Sequence, residues 1–278
     1  MTGGGDLVEV GDRVYVLRRE RLDVNSTLIV GGTAAVIVDT GSTPAEAAAL
    51  VTAARRVTAL PWSVVNTHHH FDHCFGNQVV AGDPPAPVWA HQEAARLLHR
   101  PVEVVRDEAY REMADDDPQF AARLRDVVVR PPDRTVTRSV TLDLGDRAVE
   151  LWHPGRGHTI GDLVVLVPDA DLLVAGDLVE QGAPPSFDDG YPLEWPDTLA
   201  AVSRRLGPSS VVVPGHGACV DTGFVRAQHA ELVALEWLIR DGHADGAPVD
   251  RVATQAPFGV ATATVAVTRG YAELANRV

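Results

Sequence analysis

The sequence predicts an α/β fold in which one sheet edge gathers side chains able to hold metal. Three observations carry that expectation. Four short, β-branched apolar runs lead straight into a polar side chain: "AAVIVDTG" into Asp39, "WSVVNTH" into His68, "DLLVAGD" into Asp177 and "SSVVVPGH" into His216. Helical patterns lie between them. The stretch "NTHHHFDHCFGN", residues 66–77, sets four histidines and an aspartate within positions 68–73. Strands of an open α/β sheet that deliver polar groups at their carboxyl ends collect them in one cleft.

Along the chain, "TGGG" near the start reads as a frayed tail, and "RVYVLRR" and "NSTLIVGG" as antiparallel strands. In "STPAEAAALVTAARRV", Thr43 is an N-cap, Pro44 takes the first helical position and Glu46 completes a capping box. "HQEAARLLHR" and "DPQFAARLRDVV" are helical, so residues 92–134 form a helical insertion between core strands. "RTVTRSVTLDLGDRAVELWH" and "GDLVVLVP" read as further antiparallel strands, with a hairpin-type turn at "LGDR". "DTLAAVSRRL" is helical. "FVRAQHAELVALEWLIRDG" aligns Val225, Leu232, Leu235 and Ile239 on one face and stops at Gly242. Helices occupy about 224–278, the last within "TATVAVTRGYAELANRV". The expectation is one domain over residues 1–278.

Composition excludes several classes. Of 278 residues 45% are hydrophobic, enough for a full core. The formal net charge of −14 repels phosphate backbones, so nucleic acid is not an expected partner. No apolar run reaches membrane-spanning length. The opening residues show no signal-peptide pattern and there are only two cysteines, Cys74 and Cys219, so a reduced, cytoplasmic chain is expected. The oligomeric state is not specified.

His68, His70, Asp72 and His73 spell H-x-H-x-D-H. On a loop leaving a strand, His68 and His70 point the same way, and Asp72 and His73 follow at the turn into the next element. Imidazole nitrogen and carboxylate oxygen suit zinc, and also iron or manganese. Four such groups crowd one open catalytic site unless they divide between two metals. "GRGHTIGDL" adds His158, "VAGD" adds Asp177 and "VVPGHG" adds His216.

The order T-H-x-H-x-D-H, G-H-T, A-G-D, P-G-H-G resembles the metallo-β-lactamase superfamily of hydrolases, and "NSTLIVGGTAAVIVDTG" resembles that fold's opening strands. The resemblance implies a four-layer αβ/βα sandwich: two mixed sheets face to face with helices outside. It implies two zinc ions per chain, one on His68, His70 and His158, the other on Asp72, His73 and His216. Asp177 bridges both, and Asp39 orients a ligand by hydrogen bond. The implied reaction is hydrolysis of an ester, thioester or lactone-like bond in a small molecule. Two ions about 3.5–4 Å apart activate a bridging hydroxide. The leaving-group proton comes from metal-bound water, or from Asp72 where the second site is empty.

Within the superfamily, the lactamases typically lack an aspartate at the position of Asp177, so a β-lactamase is not the expected member. A glyoxalase II would add a glutathione-binding helical domain with basic residues, and the tail after His216 is short and poor in them. "GRGHTIGDLVV" and "YPLEWPDTL" resemble bacterial hydrolases of this fold. The alternative is an oxidoreductase similar to the mononuclear iron persulfide dioxygenases, which keep most of these ligands. The di-iron oxygen reductases carry glutamate where this chain has His70.

The remaining candidates are peripheral. Phe187, Tyr191 and Trp195 on the loop "EQGAPPSFDDGYPLEW" either line a substrate pocket or anchor the loop to the core. Arg156 contacts an anionic substrate or makes a salt bridge. His69 points away from the metals. Cys74 and Cys219 are small buried thiols, and His91, His99, His153, His229 and His243 are surface or core residues.

Overall fold

The computed structural model describes residues 6–276; the glycine-rich start of the chain lies outside them. Strands β1 (Val8–Gly11), β2 (Val14–Arg18), β3 (Asn25–Val30), β4 (Ala35–Val38), β5 (Trp62–Val65), β6 (Val88–His91) and β7 (Arg134–Val136) form one sheet in that order. The first four are antiparallel, and the steps from β4 to β7 are parallel. The second sheet runs β12 (Val211–His216), β11 (Leu172–Glu180), β10 (Val164–Val167), β9 (Ala148–Trp152), β8 (Ser139–Asp143), with only β11 and β12 parallel. Both sheets are therefore mixed, as expected.

Side-chain alternation separates the layers. Val36, Val38 and Val65 face inward and meet Leu151, Val165, Val174 and Val213 of the other sheet. Ala35, Ile37 and Val64 face outward under α1 (Pro44–Val57), which buries Ala47, Leu50 and Ala54 against them. The predicted capping box is present: the Thr43 side chain accepts from the Glu46 N–H, and Glu46 accepts from the Thr43 N–H. On the far side, α7 (Trp195–Ser203), α8 (Thr222–Ala244) and α10 (Val260–Leu274) cover the second sheet. α8 buries the predicted stripe Val225, Leu232, Leu235 and Ile239. Burying each such side chain stabilises the fold by about 1.5–3 kcal/mol.

The histidine-rich turn follows β5 and runs into α2 (Phe71–Cys74) and α3 (Asn77–Ala81). Between β6 and β7 lie α4 (Gln92–Leu98), α5 (Val102–Met113) and α6 (Pro118–Leu124). Their apolar faces close over Phe71 and Phe75, through Leu98, Val105, Phe120 and Leu124. The three helices thus brace the histidine turn from outside. α9 (Val249–Ala253) links α8 to α10.

Three local expectations are corrected. Arg134–Val136 is no part of the antiparallel set: it pairs parallel with β6, and the chain then crosses to the other sheet at Ser139. β11 continues past Asp177 to Glu180, with its register broken around Gly176, whose φ is +54°. α8 passes through Gly242, which is buried; a Cβ there would stand 2.5 Å from Val252 Cγ2, so this glycine permits close helix packing instead of ending the helix.

Candidate metal centre

The carboxyl ends of β4, β5, β11 and β12 converge on one cleft. From β5 the chain enters "THHHFDH", and His68, Asp72 and His73 are almost fully buried. His158 arrives on a turn held by Asp162, whose carboxylate accepts from the Thr159 N–H and, at 2.6 Å, from its hydroxyl. Asp177 lies on β11 beside Gly215 of β12, where any side chain would collide with its Oδ1. His216 ends β12.

The ligand atoms fall into two groups. His68, His70, His158 and Asp177 form one; Asp72, His73 and His216 form the other. His70 Nδ1 is 3.0 Å from His158 Nε2, and His73 Nε2 is 3.3 Å from His216 Nε2. Asp72 Oδ2 lies 3.5 Å from His73 Nε2 and 3.3 Å from His216 Nε2. Asp177 reaches both groups. Its Oδ2 is 3.7 Å from His68 Nε2, 3.4 Å from His158 Nε2 and 3.2 Å from His216 Nε2, while Oδ1 is 3.2 Å from His73 Nε2. Around a tetrahedral zinc with bonds of about 2.0–2.1 Å, neighbouring ligand atoms stand roughly 3.3 Å apart.

Each histidine is held by its other nitrogen. His73 Nδ1 donates to Asp39 Oδ2 at 2.9 Å, and His216 Nδ1 donates to the Leu22 carbonyl at 2.6 Å. His158 Nδ1 lies 3.2 Å from the Ser186 carbonyl. His68 Nδ1 is 3.0 Å from Thr67 Oγ1, which donates to Asp39 Oδ2 at 2.7 Å. His70 is turned the other way: Nδ1 faces the cluster and Nε2 is 3.1 Å from Asp189 Oδ1.

The donor set fits a cation. His68 Nε2 and Asp177 Oδ1 are buried at the centre with no hydrogen-bond partner, an arrangement costly to leave unpaired. Burial drives His68 well below the ordinary histidine range. Burial also opposes charge on His73, but the carboxylates of Asp177, Asp72 and Asp39 outweigh it and hold the proton well above that range. His216 is raised in the same way by Asp177 and Asp72. The carboxylates thus demand positive charge where the free nitrogens point, and a divalent ion meets that demand without crowding protons.

The cleft above has a volume of about 750 Å³; α5 lends it Arg111, Glu112 and Met113, and the loop after β11 lends Gln181, Ser186 and Asp188. The aromatics of that loop do not line it. Phe187 and Trp195 are fully buried, their rings 5.1 Å apart, and Trp195 packs behind His158 at 5.8 Å. Tyr191 is buried under the Arg156 guanidinium, 4.2 Å from its ring. Arg156 itself pairs with Glu194. The three rings anchor the loop to the core, because they gain more from burial than from a wet cleft, and Arg156 covers Tyr191 from the solvent side.

Cys74 is buried and donates to the His69 and His70 carbonyls, tightening the histidine turn instead of ligating. Cys219, expected buried, is exposed. His69 Nε2 does face away from the two groups, 3.4 Å from Asp189 Oδ2. Sequence reading missed Asp189, Thr67, Asp162 and the Leu22 and Ser186 carbonyls. Only the Thr159–Asp162 pair had a local signal, a hydroxyl and carboxylate three residues apart in a glycine-rich turn.

The metallo-β-lactamase superfamily model matches residues 19–216. The chain is 37% identical to the type 2 metallo-β-lactamase of Bacillus cereus over 92 residues, 32% of this chain and 36% of that one. A probable metallo-hydrolase of Bacillus subtilis is 30% identical over 125 residues, 44% of this chain and 51% of that one. An uncharacterized protein of Mycobacterium tuberculosis is 27% identical over 205 residues, 70% and 85% of the two chains. The match spans little more than a third of the first two curated relatives, at 36% of each. Among solved structures, a metallo-β-lactamase from Pontibacter korlensis shares the fold with a TM-score of 0.64 at 21% identity, covering 82% of this chain and 98% of that one. Among the described residues, no helix is long and apolar enough to cross a membrane.

Proposed function

Because the chain belongs to the metallo-β-lactamase superfamily, we propose that it is a dinuclear zinc hydrolase acting on an ester, thioester or lactone-like bond of a small molecule. In this reading His68, His70 and His158 hold the first ion, Asp72, His73 and His216 the second, and Asp177 both. The observation that carries it is the Asp177 carboxylate, which lies 3.2 Å from nitrogens of the second group and 3.4–3.7 Å from nitrogens of the first. When bound, such ions supply a nucleophile at neutral pH and a Lewis acid for the charge that develops on the attacked carbonyl.

The chain's own residues do the rest. Asp39 fixes His73 directly and His68 through Thr67, so one carboxylate sets a ring in each group. Burial pushes the Asp72 carboxyl up, but His73 and His216 outweigh it and hold its pKa at about 2, so in this dinuclear reading Asp72 serves as a ligand on the cleft wall and carries no proton for the leaving group. Arg111, Glu112 and Asp188 line the cleft beside the two groups. Asp177 stands where the lactamases of the superfamily typically lack an aspartate, so in this reading lactam hydrolysis is a side activity at most.

The test is a hydrolysis panel on zinc-loaded protein beside Asp177→Ala, with a thioester, a lactone, a phosphodiester and a chromogenic cephalosporin. Turnover is expected on a thioester or lactone, nearly abolished in the variant and weak on the cephalosporin. Equal turnover by the variant, or no turnover on any substrate, contradicts the reading.

A further inference from the structure

Two of the three histidines in the first group are held by the loop that follows β11, residues 181–194. His158 Nδ1 meets the Ser186 carbonyl at 3.2 Å, and His70 Nε2 meets Asp189 Oδ1 at 3.1 Å. The rings of the second group take no support from this loop: His73 is held by Asp39 and the His216 ring by the Leu22 carbonyl, while the loop meets His216 only at its backbone, where the Gln181 N–H donates to the His216 carbonyl at 3.1 Å. Asp39 serves a ring in each group, but the side-chain and carbonyl supports from this loop reach rings of the first group alone.

We infer that Asp189 is a positioning residue for the first metal site alone, and that it makes the 181–194 loop a clasp on that site. The inference rests on the proposed dinuclear reading. His70 differs from its neighbours in presenting Nδ1 inward, 3.0 Å from His158 Nε2. Only a hydrogen-bond acceptor beyond Nε2 fixes that tautomer and that ring face. Asp189 is the acceptor, and its second oxygen stands 3.4 Å from His69 Nε2. One carboxylate therefore braces two consecutive histidines. The loop bearing it is in turn pinned by buried Phe187 and Trp195, so the brace is anchored in the core. This gives the loop's aromatic rings a part in the site through packing.

His69, His70 and Asp189 also lie close enough to suggest a cation site of their own. That use would require His70 to bind cations through both nitrogens and so to lose its ring proton. A plain hydrogen bond to the carboxylate needs no such ionisation.

The experiment titrates metal-free protein with cobalt(II) and follows the visible bands, for the wild type, Asp189→Ala and Asp189→Asn. The wild type should take up two equivalents. Asp189→Ala should weaken one of them by roughly 10–100-fold, alter its ligand-field bands and leave the other unchanged. Asp189→Asn, whose amide oxygen still accepts from Nε2–H, should weaken it less. Two unaltered equivalents in Asp189→Ala, equal weakening of both, or loss of a third equivalent overturns the clasp alone. A wild type that binds no metal overturns the clasp together with the dinuclear reading.

Discussion

Asp39 sits at the end of β4 with φ of +59°, a left-handed conformation that aspartate tolerates better than most residues. That turn aims its carboxylate back across the sheet edge, where it accepts from the Thr67 N–H at 2.8 Å, the Thr67 hydroxyl and His73 Nδ1. Removing it frees a ring in each metal group. Asp39→Ala should therefore weaken both metal equivalents, by roughly 10–100-fold, in contrast to the one-sided effect at Asp189. Asp39→Asn should be milder, since an amide still supplies one acceptor. Metal content after dialysis against a weak chelator checks both. The seven side chains that converge at the cleft were legible in the sequence because a side chain proposed as a ligand leaves a residue type at a spacing. The Leu22 and Ser186 carbonyls were not, because a backbone oxygen leaves no trace in residue identity.

At the scale of elements, α4 begins at His91, whose Nδ1 accepts from the Glu93 N–H and whose ring stacks on His153 with centroids 3.9 Å apart. Burial, with help from His153, lowers His91 from 6.5 to about 4. As pH falls, the unfolded chain takes this proton first. The stabilisation is thus complete above 6.5 and lost progressively from there down to about 4. His91→Asn, which keeps a capping side chain, should flatten the fall in unfolding temperature across that window; an unchanged pH profile would contradict the assignment. Gly242 makes the second prediction. Gly242→Ala would press its Cβ to 2.5 Å from Val252 and 2.8 Å from the Tyr271 hydroxyl, and should cost about 1–3 kcal/mol by denaturant unfolding. The periodicity of α8 was plain in the sequence, yet Gly242 read as its end, because a glycine demanded by a neighbouring helix looks the same as one that caps. Phe187, Tyr191 and Trp195 were ambiguous for a like reason: a ring on a loop can face cleft or core, and only packing decides.

For the whole molecule, two sheets bury their inner faces against each other and carry helices outside, and the metal-binding side chains lie along one shared edge. Short strands alternating with helices gave an α/β sheet with one polar edge, and the layer order followed from the family resemblance that the histidine and aspartate motifs carry. The crossing at 137–138, which hands the chain from one sheet to the other, did not, because Arg134–Val136 and Ser139–Asp143 have similar local patterns. The edge joins both sheets, since β4 and β5 belong to one and β11 and β12 to the other. Metal should therefore tie the layers together, and chelation should lower the unfolding temperature reversibly, with zinc restoring it in proportion to its binding. The most direct measurement is an anomalous-difference map at the zinc edge from crystals of zinc-loaded protein. The account predicts two peaks about 3.5–4 Å apart on either side of the Asp177 carboxylate. A single peak, or density at His69 and Asp189 instead, would contradict it.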